Sequence, residues 1–348
     1  MKSTHLSPDC SEVKARAAGR WDRIIACLAP QLAVALERPG RHVNCPVHGG
    51  ALDFRVFPDV ADTGGGICTC GTFPDGFSLI GWANGWDFHK TVCEVHAFLG
   101  GAHIGTAVAM PSPRKAHASK LEDAAVKRRL RAVWSAAIAL DDPGAETARL
   151  YLANRGIAPA CEVADLRFHP ALAYHDDDRI FRGRYPALIA RVSAADGSGV
   201  TLHRTYLTAD GRKADVPQPK KLMSHPGNRS MKGAAIRLFP AVTDVLAVAE
   251  GIETALAVRE LTGLPCWSAI ATVFMREFEP PAGIKQVLVF ADKDSNGAGE
   301  RAARELITRM WARGVSAGMR LPQLPIPLGK KGIDWLDVLN VRSGREAA

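Results

Sequence analysis

The stretch from Val245 to Asp294 constrains this chain most, because it holds two short apolar runs, VLAVA and VLVF, each followed within two residues by an acid. A run of about five β-prone apolar residues with polar flanks predicts a strand buried on both faces, as in a parallel sheet. Acids at the carboxyl ends of such strands stand where open α/β sheets take their ligands. Glu250 follows the first run; Asp292 and Asp294 follow the second. Gly251 permits a sharp turn, and Ile252 to Leu261 has helical spacing. Three carboxylates in one crevice predict a divalent cation and a phosphate-bearing substrate. Asp334, in GKKGIDWLDVL, is the next acid at a loop-to-helix junction. Glu253, one helical turn beyond Glu250, faces either the same crevice or the helix surface.

The charge is unevenly placed. Residues 181–240 contain eleven Lys/Arg against three Asp, which equals the net +8 of all 348 residues. A basic block directly before an acidic metal site points to a polyanionic partner. No apolar run approaches 18 residues, and MKSTHLSPDC lacks an apolar leader core, so no membrane partner is expected. Eight irregularly spaced cysteines fit a reducing cytoplasm better than a disulfide framework.

Upstream, Cys45-Pro46-Val47-His48 and Cys68-Thr69-Cys70 flank a strand-like stretch from Leu52 to Phe57. Two short pairs of thiolate and imidazole ligands match a tetrahedral structural zinc site, with CxC where CxxC is usual. A second cluster, His89, Cys93 and His96, lies at helical spacing and reads first as one face of a helix. Cys10 to Leu36 reads as helical, 106–125 as a Pro/Ser-rich linker, and Leu121 to Leu140 and Ala145 to Arg155 as helices. ALIARV and VTLHRTYL read as strands joined by a turn, from which Arg204 is aimed along a groove. PQPKKLMSHPGNRSMKG reads as a loop that stays mobile until an anion orders it.

LAVAEGIETALA followed by VLVFADKD resembles the Toprim domain, the metal-binding core shared by DnaG-type primases, topoisomerases and some nucleases: Glu250-Gly251 and Asp292-Lys293-Asp294 stand at its two acidic motifs. Cys45, His48, Cys68 and Cys70 resemble the primase zinc ribbon. RGRYPALIARV resembles the family's Arg-x-x-Phe-Pro-Ile element through Arg184, and PKKLMSHPGNRSMKG resembles its Pro-Lys-Tyr-x-Asn-Ser…Lys-Gly stretch through Lys221 and Lys232. Asp334 resembles the acid of its Gly-Lys-Asp-x-x-Asp segment. The resemblance runs over roughly residues 41–340 and is closest to compact primases of plasmids, phages and integrating elements.

The resemblance implies a multidomain α/β protein with a zinc-ribbon module, a basic α+β subdomain and a Toprim α/β domain with a mainly parallel sheet. The expected divisions are 1–40 (helical segment), 41–105 (zinc module), 106–125 (linker), 126–240 (basic subdomain), 241–340 (Toprim) and 341–348 (tail). It implies a DNA primase that makes RNA primers by nucleotidyl transfer. Structural Zn²⁺ sits in the ribbon, and Mg²⁺ or Mn²⁺ on Glu250, Asp292, Asp294 and Asp334. Arg184, Arg204, Lys221 and Lys232 hold template phosphates or the incoming triphosphate. Single-stranded DNA, NTPs and a replicative helicase are the implied partners; Phe54, Phe57 and Trp82 are candidates for stacking on bases. A Toprim nuclease using the same acids, or a non-catalytic zinc-containing DNA-binding protein, are the alternatives.

Overall fold

The computed structural model describes residues 9–47, 49, 52–68, 71–100, 120–158, 163, 165–176, 180–295 and 297–345. Residues 106–119 of the expected linker fall outside these, as do His48 and Cys70, while its last six, 120–125, are helical. The chain divides into two compact units, Met1–Ser112 and Pro113–Ala348. Among the described residues no helix is long and apolar enough to cross a membrane.

The first unit contains α1 (Cys10–Ala17), α2 (Trp21–Leu28), α3 (Ala33–Leu36), β1 (Phe54–Val56), α4 (Val60–Thr63), β2 (Gly66–Cys68), β3 (Gly71–Phe73), α5 (Gly76–Asn84) and α6 (Phe88–Phe98). The single helix expected from Cys10 to Leu36 is three pieces. Gly19 turns the chain at φ +75°, and Pro30, which cannot donate to a preceding turn, opens a separate 3₁₀ turn. The strands form one antiparallel sheet in the order β1-β2-β3. The core is Trp21, Ile24 and Ile25 of α2 against Phe54, Val56, Phe77 and Ile80. Phe54 is fully buried, and Trp82 stacks on Phe73 with ring centroids 4.3 Å apart. These two rings are therefore used in packing rather than offered to a base.

The second unit begins with α7 (Lys120–Ala136), β4 (Ile138–Ala139), α8 (Glu146–Asn154), β5 (Leu166–His175), β6 (Phe181–Ser193), β7 (Gly199–Tyr206), β8 (Lys220–Leu222) and β9 (Ala235–Ile236). It continues with β10 (Val245–Ala249), α9 (Ile252–Thr262), β11 (Cys266–Ser268), α10 (Thr272–Glu277), β12 (Gln286–Phe290), β13 (Lys293–Asp294), α11 (Ala298–Ala312), β14 (Ser316–Arg320), β15 (Gly332–Ile333) and α12 (Trp335–Arg342). The strands β14-β12-β10-β11 are parallel, as the continuous apolar runs require. Alternation along β10 sends Leu246 and Val248 to one core with α11, and Ala247 and Ala249 to another with α9. Both faces of the strand are thus covered by helices.

The basic segment forms the antiparallel remainder, β6 with β5 on one edge and β7 on the other, and β8 beyond β7. β9 joins the two parts into one sheet, Ile236 pairing with Ser268 of β11 and with Val192 of β6. The loop after β8 is tied to α7, where the buried Asp123 accepts the backbone N–H of Gly227 at 2.6 Å.

Candidate metal centre and basic cleft

β10 and β12 are in register, Ala249 opposite Phe290, so the acids that follow leave the sheet at nearly the same level. Glu250 is fixed from two sides. Thr272 Oγ1 donates to its Oε2 at 2.8 Å, and Ser268 Oγ donates to its backbone carbonyl at 2.9 Å. Burial pushes its carboxyl above the ordinary range, and the charge of Asp294 pushes the same way against the Thr272 hydrogen bond.

Asp292 is raised well above the ordinary range, first by burial and then by the charges of Glu250, Asp334, Asp294 and Asp337. Its Oδ1 is buried with no hydrogen-bond partner. Asp294 sits on β13, whose partner β15 brings Gly332 so close that a Cβ there would stand 2.7 Å from Asp294 Oδ1. Burial raises Asp294 too. Asp334 caps α12, accepting the N–H of Leu336 at 2.8 Å and of Asp337 at 3.0 Å; burial still raises it. All four carboxylates therefore resist ionisation where they are, the condition a divalent cation reverses.

Among the described residues no group of three or more His, Cys, Asp or Glu is arranged to hold a metal ion by itself. Mg²⁺ does not need such a group: it keeps waters and takes one or two carboxylates plus substrate phosphates. An orphaned Asp292 oxygen beside three further carboxylates is a donor set that fits such an ion.

Glu253 is buried, at 7% exposure, and settles the alternative left open by its sequence position. Tyr151 of α8 donates its hydroxyl to Oε1 at 2.5 Å, and the Lys220 ammonium lies 2.8 Å from the same oxygen and 3.0 Å from Oε2. Burial alone would raise Glu253, but Lys220 and these hydrogen bonds hold it far below the ordinary range. Lys220 also acts on Glu250. Behind it, His203 is buried and pushed down to about 4, by burial first and then by Lys220, so it is neutral. Next to this group opens a cleft of about 580 Å³ lined by Tyr151, Asn154, Arg155, Asp210, Arg212 and Lys213. Lys213 is lowered by burial and by Lys220, and feels the charges of Glu253 and Asp334.

Of the four predicted acids, Glu250, Asp294 and Asp334 all act on Asp292 through their charges. The structure turns the predicted cations elsewhere. Arg204 donates to Tyr206 Oη and to the Leu222 carbonyl, each at 3.0 Å, so its strand does not aim it along a groove. Lys221 donates to the His175 carbonyl at 3.1 Å and lies over the Tyr174 ring. Arg184 donates to the Ala171 carbonyl, and Lys232 is exposed. The lysine that reaches the acids is Lys220, whose strand partner Thr205 lies one residue from Arg204. The signal for it was available: Lys220 directly follows Pro219, as the Pro-Lys of the motif requires, and Arg182 stands at the full Arg-x-x-aromatic-Pro spacing. Tyr151, Arg155 and Arg212 carried no such signal.

In the first unit, Cys45 and Cys68 are both buried; Val43 pairs with Phe54 and Phe54 with Cys68. Cys93 Sγ lies 3.7 Å from His89 Nε2 on α6, and His96 Nδ1 is buried without a partner.

Residues 40–77 match the zinc-binding domain of primase-helicase, and residues 245–345 match the Toprim domain. The chain carries a zinc-binding domain like that of primase-helicases and a Toprim domain. Between them, residues 124–233 match a domain of unknown function (DUF7146). Among solved structures, a DNA primase domain from Pseudomonas aeruginosa is 16% identical, with 63% of this chain and 74% of that chain covered and a TM-score of 0.42. The zinc-binding and RNA polymerase domains of Aquifex aeolicus primase are 15% identical, over 88% and 80%, at 0.38. The primase fragment of the bacteriophage T7 primase-helicase is 20% identical, over 56% and 69%, at 0.36. The assignment rests on the two domain matches, the zinc-binding one implying structural zinc and the Toprim one a divalent cation.

Proposed function

We propose that the protein is a DNA primase that joins ribonucleotides on a single-stranded DNA template. One observation carries this: Glu250 and Asp292 leave adjacent parallel strands at one level, in a group of carboxylates each raised by burial, with the Lys220 ammonium acting on the same group. In the reaction a 3′-hydroxyl attacks an α-phosphate, the new ester bond forms, and pyrophosphate leaves with the bridging electron pair. Mg²⁺ or Mn²⁺ held by Asp292 and Asp294, with Asp334 as a further ligand, would neutralise phosphate charge. Glu250, ionised beside the bound cation and made more basic by its burial, is assigned to take the hydroxyl proton. Lys220 is held by Glu253 and points its charge at the reacting phosphates. Arg155, Arg212 and Lys213 give the neighbouring cleft the charge to receive the triphosphate. Arg184, Arg204, Lys221 and Lys232 remain candidates for template backbone only.

In the ribbon, Cys45, His48, Cys68 and Cys70 are the proposed zinc ligands, and 41–105, 126–240 and 241–340 the proposed functional divisions. A replicative helicase is the proposed protein partner. The test is template-directed synthesis from labelled NTPs with Mg²⁺. Asp292→Ala/Asp294→Ala should abolish extension while leaving single-stranded DNA binding intact. Degradation of the template by wild type, without extension, would replace this function with that of a Toprim nuclease.

A further inference from the structure

The loop between β11 and α10 has a backbone that its residues do not favour. Ile270 sits at φ +74°, and across it the Ala271 N–H donates to the Ala269 carbonyl at 2.8 Å. A bond that closes three residues around a positive φ marks the rare, strained form of γ-turn, and a β-branched residue there is an outlier. The surroundings impose it. The Ala269 N–H is tied to the Ala249 carbonyl at 2.8 Å, and Ser268 Oγ accepts the Ile270 N–H at 3.1 Å. Ile270 packs against the core that contains α9, while Ala269 before it and Met275 after it enter the core with α11. Strain of this kind persists only where neighbours over-determine it, and it collects at working sites.

What the turn delivers is Thr272. This residue is 5% exposed, and its hydroxyl and backbone N–H both bond to the Glu250 carboxylate, the hydroxyl reaching Oε2 at 2.8 Å. Ser268, at the other end of the turn, donates to the Glu250 carbonyl. One short loop thus fixes both the main chain and the side chain of Glu250. A main-chain donor has no rotamer, so backbone dihedrals alone set its aim. Relaxing Ile270 to a negative φ would turn the Thr272 N–H away from the carboxylate.

We infer, resting on the nucleotidyl-transfer function above, that Thr272, aimed by the strained turn at Ile270, is a positioning residue for Glu250. It holds the carboxylate in one orientation toward the attacking hydroxyl and takes no proton itself.

Primer synthesis with Mg²⁺ and labelled NTPs separates this role from a merely structural one. Thr272→Val keeps the shape and removes the hydroxyl; kcat should fall about tenfold while KM for NTPs stays within about twofold. Thr272→Ser should restore kcat to within about threefold of wild type. A lower melting temperature with unchanged kcat in Thr272→Val overturns the inference. A second measurement uses no metal and no NTPs, so that no catalysis is read. In protein carrying carboxyl-labelled glutamate, the Glu250 carbon resonance, assigned through Glu250→Gln, should move in Thr272→Val and stay near its wild-type position in Thr272→Ser. A resonance unmoved in Thr272→Val overturns the hold on Glu250. The turn is read in wild type by the intraresidue N–H to Hα cross-relaxation of Ile270, which is strong at positive φ; a weak signal overturns its part. If wild type degrades the template instead of extending it, the same ordering of cleavage rates keeps this inference and discards the primase function. Primer synthesis by Thr272→Val at the wild-type rate does the reverse.

Discussion

Glu253→Gln tests the ion pair that joins the two halves of the second unit. The amide keeps the shape and still accepts from Tyr151 through its oxygen. It removes the charge facing Lys220, however, and can turn an N–H donor toward an ammonium that is itself only a donor. Breaking a buried ion pair by removing one partner costs about 3–5 kcal/mol. The Lys220 side chain is 39% exposed, against 9% for Glu253, so water compensates part of this and about 2 kcal/mol is the expected loss. For a unit of this size that lowers Tm by roughly 4–8 °C.

The pH dependence has a definite sign. Glu253 is depressed in the fold, so its contribution is complete above the ordinary carboxylate pKa of about 4.3 and is lost as pH falls below it. The gap between wild type and variant should stay constant from pH 8 to pH 6 and close below about pH 5. Urea unfolding across that range is the assay. A double-mutant cycle with Lys220→Met should give a coupling of at least about 1 kcal/mol. A variant within 0.5 kcal/mol of wild type at pH 7, with an unchanged pH profile, refutes the account.

Asp292→Asn should stabilise the metal-free protein at pH 7, because it removes a buried charge that burial and four neighbouring acids all disfavour. Since Asp292 is raised, its penalty applies at high pH and is relieved as pH falls, so the gain in melting temperature should shrink toward acid. The same variant should lose the stabilisation that Mg²⁺ gives wild type, and melting in EDTA and in Mg²⁺ measures both effects. Metal analysis of the purified protein should find zinc, and Cys68→Ser should lose it and lower the protease resistance of the first unit, because Cys68 closes the β1–β2 pairing. The second unit should keep its melting transition.

The acids were legible because an apolar run that ends on a carboxylate is a local pattern, and parallel strands in register do the rest. Which cation meets them was not. Lys220 and Lys221 are adjacent, and strand parity sends one to Glu253 and the other to Tyr174; parity depends on a register fixed only when β8 pairs with β7. The hydrogen bonds of Arg204 to Tyr206 and to the Leu222 carbonyl depend on the same register and were not legible either. Tyr151 lay in a helix correctly expected, but its role depends on α8 packing against α9, about a hundred residues later. The zinc module was legible as spacing, whereas Phe54 and Trp82 needed the core around them to declare their use.

The two-residue strand β9 has a mechanical consequence. Ile236 pairs with β6 on one side and β11 on the other, so the strands that carry the cations and those that carry the acids share a single hydrogen-bonded ladder. Opening the catalytic groove by swinging one half away from the other would require breaking main-chain pairing at Ile236. On the proposed function, a primer–template would meet a frame of nearly constant width. Amide exchange at Ile236 would report when that frame yields.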